Sequence, residues 1–182
     1  DYAKAAAWAR KSADQGNVAA QSFLAGLYRT GAGVAPSLDN ALHWYRKAAS
    51  AGDPKAQYYV GAAHDFGARA ELNPKKAAEW YEKAATAGSH QAQYNLALLY
   101  LAGRGVKRDE IEAFVWLTLA KRGGSPHAQK TLEELNAMFT RSQALEAYSR
   151  LVARLKELGI ETDASGLTLP ADPDTEPAEP AQ

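Results

Sequence analysis

The sequence predicts an all-α protein, a right-handed solenoid of stacked helical hairpins that ends in a C-terminal capping helix. Three observations predict this fold. The four tryptophans follow one another at intervals of 36 residues, and tandem repeats of about this length are typical of helical solenoids. Residues that cap helices begin each half of the repeat, and glycine ends each half. Within each half, apolar residues recur at steps of three and four, which places them on one helix face.

Several residue types keep the tryptophan interval and so define the repeat boundaries. The repeating positions are Trp8, Trp44, Trp80 and Trp116; Gly16, Gly52, Gly88 and Gly124; and Gln21, Gln57, Gln93 and Gln129. The repeat domain covers residues 1–158 and divides into a partial repeat 1–16, complete repeats 17–52, 53–88 and 89–124, and a divergent capping unit 125–158. We expect the partial repeat to be the second half of a unit whose first half precedes this chain.

The first helix of each unit is predicted to begin at its opening residue. A short polar side chain stands at this N-cap position, and proline follows it at Pro54 and Pro126, where the missing N–H costs nothing. A glycine before the midpoint of the unit would end the helix in a left-handed conformation. The predicted caps are Asn17, Asp53, Ser89 and Ser125, and the glycines are Gly31, Gly67 and Gly103.

The second helix is predicted to begin at Ser37, Asn73 or Asp109 and to end at Gly52, Gly88 or Gly124. By the same register, Asp1 caps the second helix of the partial repeat. Tryptophan lies on the apolar face of this helix, next to small and aromatic residues. We therefore expect the tryptophans to pack in the seam between hairpins, and not to form an exposed platform on which nucleic-acid bases stack.

The C-terminal part departs from the repeat. Residues 141–158 form an amphipathic pattern that places Leu145, Tyr148, Val152 and Leu155 on one face, with Thr140 and Gln143 as a capping box and Gly159 as the stop. This pattern predicts a helix that covers the last hairpin. Residues 159–182 hold six acidic residues, no basic residue and four of the eight prolines, a composition typical of disorder.

Composition excludes several classes of partner and of architecture. The 21 basic and 21 acidic residues balance, so there is no electrostatic reason to expect nucleic acid as a partner. Cysteine is absent, which excludes a disulfide framework. No apolar run approaches the roughly 18 residues that suggest a membrane span.

The sequence contains no catalytic or cofactor-binding motif. Nucleophile elbows, metalloprotease helices and phosphate-binding loops are all missing. The histidines stand at different repeat positions without partners at metal-ligand spacing; they are His43, His64, His90 and His127. We therefore expect a protein that is not an enzyme, with no metal, no cofactor and no small-molecule ligand.

Two segments, LAGLYRTGAGVAPSLDNALHWYRKAASAG at 24–52 and LALLYLAGRGVKRDEIEAFVWLTLAKRGG at 96–124, resemble the SEL-like repeat family. This family is a branch of the tetratricopeptide-like helical repeats. The middle unit departs from the pattern, with His64 in place of tyrosine and Arg69-Ala70 in place of the Gly-Val of the turn. The resemblance implies a curved bacterial adaptor that binds a protein or peptide, and it leaves open the cell envelope, the periplasm or the cytoplasm as its location.

In tetratricopeptide-like stacks, the first helices line the concave face. Aligning the buried leucines leaves a stripe that begins with Ser22 and Gly26, includes Ala62, and whose predicted partner-binding residues are Arg29, Lys55, Tyr58, Asp65, Phe66, Gln91, Tyr94, Leu98 and Leu101. Aromatic residues in the middle with a charged rim are typical of binding surfaces. Alternatively, these aromatic residues only pack between neighbouring first helices.

The predicted function is therefore an interaction scaffold. Two other functions stay open from the sequence. One is a structural spacer or oligomerisation arm of a larger envelope protein. The other is a hydrolase that acts on cell-wall material, although no converging set of catalytic residues supports it.

Overall fold

The computed structural model describes residues 1–161, and this part of the chain is helical without strands. Its helices are α1 (Tyr2–Asp14), α2 (Val18–Thr30), α3 (Leu38–Ser50), α4 (Pro54–Phe66), α5 (Pro74–Thr86), α6 (His90–Ala102), α7 (Glu110–Arg122), α8 (Ala128–Met138) and α9 (Arg141–Glu157). From α1 to α8 each helix packs against the next one in the chain, and α9 packs against α7. The predicted all-α solenoid is confirmed.

Side-chain caps begin the helices of the repeats, as the sequence predicts. Asn17, Asp53 and Ser89 each accept a hydrogen bond from the backbone N–H three residues later. At the other end of these helices, Gly31, Gly67 and Gly103 have positive φ values of 74°, 66° and 64°. Such left-handed ends are accessible to glycine because it has no Cβ atom.

The predicted cap at Ser125 is wrong. The helix α8 begins at Ala128, its N-cap position is His127, and no side chain caps it. Ser125 is buried, and Pro126 and His127 form a turn before the helix starts. The divergent unit therefore loses the side-chain cap that the other units share.

A repeated glutamine joins each hairpin to the one before it. Its buried amide nitrogen donates to a carbonyl oxygen in the last turn of the preceding second helix. The three bonds join Gln21 to Ala13, Gln57 to Ala49 and Gln93 to Ala85, with N···O distances of 3.2, 3.4 and 3.0 Å. The bond is absent at Gln129, which lies near the start of the late-starting α8 and bonds to Glu133 instead.

The expected burial of the tryptophans holds for two of the four. Trp44 and Trp116 are buried, Trp80 is partly buried, and Trp8 is 69% exposed, which contradicts the expectation for Trp8. The guanidinium carbon of Arg10 on α1 lies 5.5 Å from the Trp44 ring centroid, so the preceding second helix helps to cover this tryptophan. Over Trp8 the contact comes from Lys11 of α1 itself, whose Nζ atom lies 5.4 Å from the ring centroid, and within residues 1–161 no helix precedes α1.

The helix α9 has the predicted capping box at Thr140 and Gln143, but its buried face matches the prediction only in part. Leu155 is buried and Tyr148 is partly buried against the core, as predicted, whereas Leu145 and Val152 are exposed. The other buried residues are Ala144, Ala147 and Leu151. Both faces have helical spacing, so periodicity alone could not choose between them. Of the predicted tail, residues 162–182 lie outside the described residues.

Two arginines fix the rotation of α9 on α7. Arg150 contacts Asp109, and Arg154 contacts Glu112, both with N···O distances of 2.9 Å. The Arg154 guanidinium also lies 4.8 Å from the Trp116 ring centroid. Because the residue numbers of both partners rise together, α9 runs parallel to α7. Partial burial opposes ionisation of Asp109, but the backbone N–H of Glu112 and the Arg150 guanidinium outweigh it and lower the pKa of Asp109.

The turn of the middle repeat keeps the glycine conformation without glycine. Gly33 and Gly105 have φ values of 76° and 72°, and Arg69 at the equivalent position has a φ of 61°. A left-handed conformation costs a residue with a Cβ atom about 1 kcal/mol relative to glycine. Arg69 also contacts Asp39 with an N···O distance of 3.6 Å, but both side chains are exposed, and such pairs contribute little.

We expect Arg69→Gly to raise the free energy of unfolding by about 1 kcal/mol, because it removes the left-handed penalty. Urea denaturation followed by circular dichroism measures this change. Arg69→Ala is the matched control, since it removes the ion pair with Asp39 but keeps a Cβ atom, and it should leave stability nearly unchanged. Equal stability of the glycine and alanine variants would contradict the backbone explanation.

The lowered pKa of Asp109 predicts a stability term that depends on pH. Because the folded-state pKa lies below the unfolded value of about 3.9, the term is present at neutral pH and is lost as pH falls through the folded pKa. Asp109→Asn keeps an N-cap residue but removes the charge. We expect the variant to be less stable than the parent at pH 7 and to approach it near pH 2. A pH-independent difference in urea denaturation would refute this origin.

Candidate functional site

The predicted partner-binding stripe lies on α2, α4 and α6, and its members differ in exposure. Arg29, Lys55, Phe66, Gln91 and Leu98 are exposed. Tyr58, Tyr94 and Leu101 are half-buried and pack against the hydrophobic core. Asp65 is buried. The stripe therefore combines accessible side chains with aromatic rings that show only part of their surface.

One cleft of about 420 Å³ opens on this stripe. It lies where α4 and α6 begin, at the turn that joins α5 to α6. Its lining residues are Asp53, Pro54, Lys55, Tyr58, Tyr59, Ala87, Gly88, Ser89 and Gln91. The cleft brings together three predicted residues, Lys55, Tyr58 and Gln91. The others lie outside its lining.

A cluster of tyrosines forms one wall of the cleft and the core behind it. Tyr59 stacks on the buried Tyr45 with ring centroids 4.4 Å apart, and Tyr58 lies 5.1 Å from Tyr59. Tyr58 also lies 6.0 Å from the buried ring of Tyr81. The Arg29 guanidinium lies 5.0 Å from the Tyr59 ring centroid, a cation–π contact. These contacts hold Tyr58 and Tyr59 in place at the edge of the cleft.

The hydroxyls of Tyr45, Tyr58 and Tyr81 stay protonated at neutral pH. Burial raises the pKa of Tyr45 to about 12, and it also raises the pKa of Tyr58 and of Tyr81. Tyr58 therefore presents a neutral ring and a hydroxyl group at the cleft, and not a phenolate that would serve as a base or as a negative contact.

The two charged side chains of the cleft, Asp53 and Lys55, differ in whether they already have a partner. The Asp53 carboxylate caps α4 through the Ala56 N–H at 2.7 Å and accepts a second bond from the Ser22 hydroxyl at 2.8 Å. Among residues 1–161, Lys55 is without an ion-pair partner. The N-terminal ends of α4 and α6 border the same space, and such ends carry partial positive charge. The side chains of Asp53 and Ser89 already cap these two ends, so the charge that the lining offers to a ligand is the Lys55 ammonium group.

Asp65 does not provide the free charge that the sequence suggested for the edge of the stripe. Its carboxylate pairs with Arg104 from the turn of the next repeat. The Tyr81 hydroxyl donates to the same carboxylate at 3.4 Å and accepts from the Asn95 amide at 3.2 Å. These contacts tie two successive repeats together behind the stripe.

The contacts of Tyr58 and Tyr94 can be compared with the alternative that these rings only pack between neighbouring first helices. The Tyr94 ring lies 5.9 Å from His127, just before the next first helix, and Tyr58 packs against Tyr81 of its own hairpin. Both rings keep exposed surface.

Sequence reasoning missed Tyr59 because it stands one residue after Tyr58, about 100° away around an ideal helix. The paired tyrosines at 58 and 59 were the available signal.

Within residues 1–161, no group of three or more histidine, aspartate or glutamate side chains could hold a metal ion. No helix in this same part of the chain is long and apolar enough to cross a membrane.

Comparison with known proteins identifies the repeat. The Sel1 repeat family model matches residues 1–17, 18–53, 54–89 and 90–125, which is more than half of the chain. No curated protein matches significantly.

Solved structures that are similar to this chain include two helical repeat proteins. A Sel1 repeat protein from Oxalobacter formigenes shares 36% sequence identity over 69% of this chain and 95% of its own, with a TM-score of 0.64. A protective antigen of uropathogenic Escherichia coli with an SLR fold shares 28% identity over 85% of this chain, with a TM-score of 0.65. The present chain spans 41% of the length of that antigen.

Two glycines of the first helices allow a matched test of packing beneath the site. A Cβ atom at Gly61 would lie 2.7 Å from the Tyr81 ring, whereas one at Gly26 would lie 3.8 Å from the Tyr45 hydroxyl. We expect Gly61→Ala to destabilise the protein by about 1–3 kcal/mol through overpacking. Gly26→Ala should be neutral or stabilising, because alanine favours helix. Thermal unfolding measures both, and equal effects would contradict the packing explanation.

Proposed function

Because the chain belongs to the Sel1 repeat family, we propose that it is an interaction scaffold that binds an extended peptide segment of a partner protein along α4 and α6. Proteins with these repeats generally mediate protein–protein interactions, and the repeat fold is typically a non-catalytic scaffold. The binding face and the class of ligand are our own inference, and they rest on the geometry of the cleft.

The observation that most strongly supports this site is that one side of the cleft is formed by two tyrosine rings that other tyrosine rings hold in place. Tyr58 and Tyr59 are held from behind by Tyr81 and Tyr45, so a ligand meets surfaces that lose little freedom on binding. Preorganised aromatic side chains of this kind are favourable anchors in interfaces. Lys55 and Gln91 at the rim supply an ammonium group and an amide that can fix the register of a peptide.

The stripe continues beyond the cleft along α6. Tyr94 and Leu98 follow on the same helix face, and Leu98 is exposed. A peptide that begins in the cleft would therefore meet further apolar surface as it crosses α6 towards α8. Phe66, which is 72% exposed at the end of α4, lies at the opposite end of its helix from the cleft. We assign it to the outer rim of the proposed surface.

The proposal is tested by selecting peptides from a displayed random library on the full chain and measuring their affinity by isothermal titration calorimetry. We expect the double variant Tyr58→Ala/Tyr94→Ala to weaken binding at least about tenfold, which corresponds to roughly 1.4 kcal/mol. The helical circular dichroism spectrum should persist. The loss follows from removing the two rings that anchor the peptide.

The matched control is Leu145→Ala/Val152→Ala, which removes two exposed apolar side chains of α9 away from the stripe. It should bind the selected peptides as the parent does. Selected peptides with equal affinity for the parent and the tyrosine variant would place the binding surface elsewhere. Failure to select any peptide would favour the spacer function instead.

A further inference from the structure

The charges along the stripe are not balanced by partners within the described part of the protein. The stripe holds three charged side chains, Arg29, Lys55 and Asp65. Asp65 is buried and pairs with Arg104. No carboxylate of residues 1–161 lies within ion-pair distance of Arg29 or Lys55, and both of these side chains are exposed. The stripe therefore presents two positive charges without counter-charges.

These positive charges are confined to one part of the stripe. The residues that stand at the position of Arg29 in the next two units are Asp65 and Leu101. The residue that stands at the position of Lys55 in the next unit is Gln91. The part of the stripe on α6 is therefore uncharged at both positions, and the free positive charge belongs to α2 and α4.

The Tyr59 ring lies beside both cations. Lys55 and Tyr59 are four residues apart on α4, so their side chains are neighbours on the helix surface, and both line the cleft. The Arg29 guanidinium lies 5.0 Å from the centroid of the same ring. A guanidinium held against a ring keeps its N–H donors in its own plane, where a carboxylate can accept two of them. Both cations therefore border one aromatic surface.

The carboxylate of Asp53 does not take Lys55 as its partner. It accepts hydrogen bonds from the Ala56 N–H at 2.7 Å and from the Ser22 hydroxyl at 2.8 Å. It also lies at the start of α4, where the partial positive charge of the helix offsets a carboxylate. Residues two positions apart, such as Asp53 and Lys55, do not face each other on a helix. Lys55 is therefore available to a negative group of a ligand.

We propose that the partner segment bound in the cleft is acidic. In this arrangement an apolar residue of the segment packs on Tyr58 and Tyr59, and aspartate or glutamate carboxylates on either side of it bind Lys55 and Arg29. The proposal rests on the proposed function, since it names the chemistry of the partner for the same cleft. Opposite charges across an interface favour the correct partner and disfavour others. The cations then select acidic segments, while the tyrosine rings supply an apolar surface.

Selection from a displayed peptide library, in which acidic and basic residues are equally frequent, tests the proposal on the full chain. We expect the selected peptides to hold at least about threefold more acidic than basic residues. The variant Arg29→Glu/Lys55→Glu should reverse this preference. Peptides that depend on Tyr58 and Tyr94 without an excess of acids would overturn the acidic partner and keep the scaffold. A selection that yields no peptide would overturn both.

Affinity measurements separate a direct contact from a structural effect of the substitutions. The tightest selected acidic peptide, and a copy with amides in place of its carboxylates, are titrated into the parent and into Arg29→Gln/Lys55→Gln. We expect this variant to bind the acidic peptide about fivefold to tenfold more weakly, since each exposed ion pair contributes modestly. It should bind the amide copy as the parent does. An equal loss for both peptides would overturn the proposal, because the substitutions would then act only on the shape of the cleft.

The matched control is Lys75→Gln/Lys76→Gln, which removes two exposed cations at the start of α5, outside the lining of the cleft. It lowers the net charge by the same amount, but it should bind the acidic peptide nearly as tightly as the parent, because solvent ions screen distant charges. A loss equal to that of the Arg29/Lys55 variant would assign the effect to overall charge and refute the site. A single-stranded oligothymidine that binds more tightly than the peptide, and only with Arg29 and Lys55 present, would assign these cations to nucleic acid instead.

Discussion

The close approach of consecutive helices is the constraint on which the rest of this structure depends. A single hairpin cannot bury both of its faces, so each one must press its backbone against the next. Small side chains permit this approach. The alanines at the repeated contacts, such as Ala77, Ala84 and Ala113, are completely buried. The repeated glutamine then binds a carbonyl group of the preceding helix, so the seam is held by directional contacts as well as by burial of apolar surface.

Where the repeat ends, other contacts must replace those of a following unit. The helix α9 covers the last hairpin, and Arg154 stands over the Trp116 ring much as Arg10 stands over Trp44. The two arginines come from different positions in their helices, but each guanidinium covers a tryptophan ring. At the other end of the described chain, Trp8 is contacted by Lys11 of its own helix and stays largely exposed. The repeated tryptophan is therefore core or surface according to whether a helix lies against it.

The candidate site arises from differences between repeats at equivalent positions. Ser22, Tyr58 and Tyr94 stand at the same place in three successive units. The serine binds the cap of the next helix, and the two tyrosines expose ring surface. Gly61 leaves space for the Tyr81 ring that supports Tyr58 from behind. One backbone scaffold thus carries a polar contact in one unit and an aromatic wall in the next.

The sequence by itself determined the repeat length, the helix boundaries and most of the caps, because these depend on local chemistry. Asn17, Asp53 and Ser89 bond within their own first turn, and the glycines adopt their left-handed conformation within a single residue. Only the tertiary structure decided which helical face of α9 is buried, where α8 begins, and that Asp65 is engaged by Arg104. It also decided that Lys55, Tyr58 and Gln91 share one cleft with Tyr59. These features depend on contacts between residues that are distant in the chain, and periodicity along one helix cannot specify which neighbour covers it.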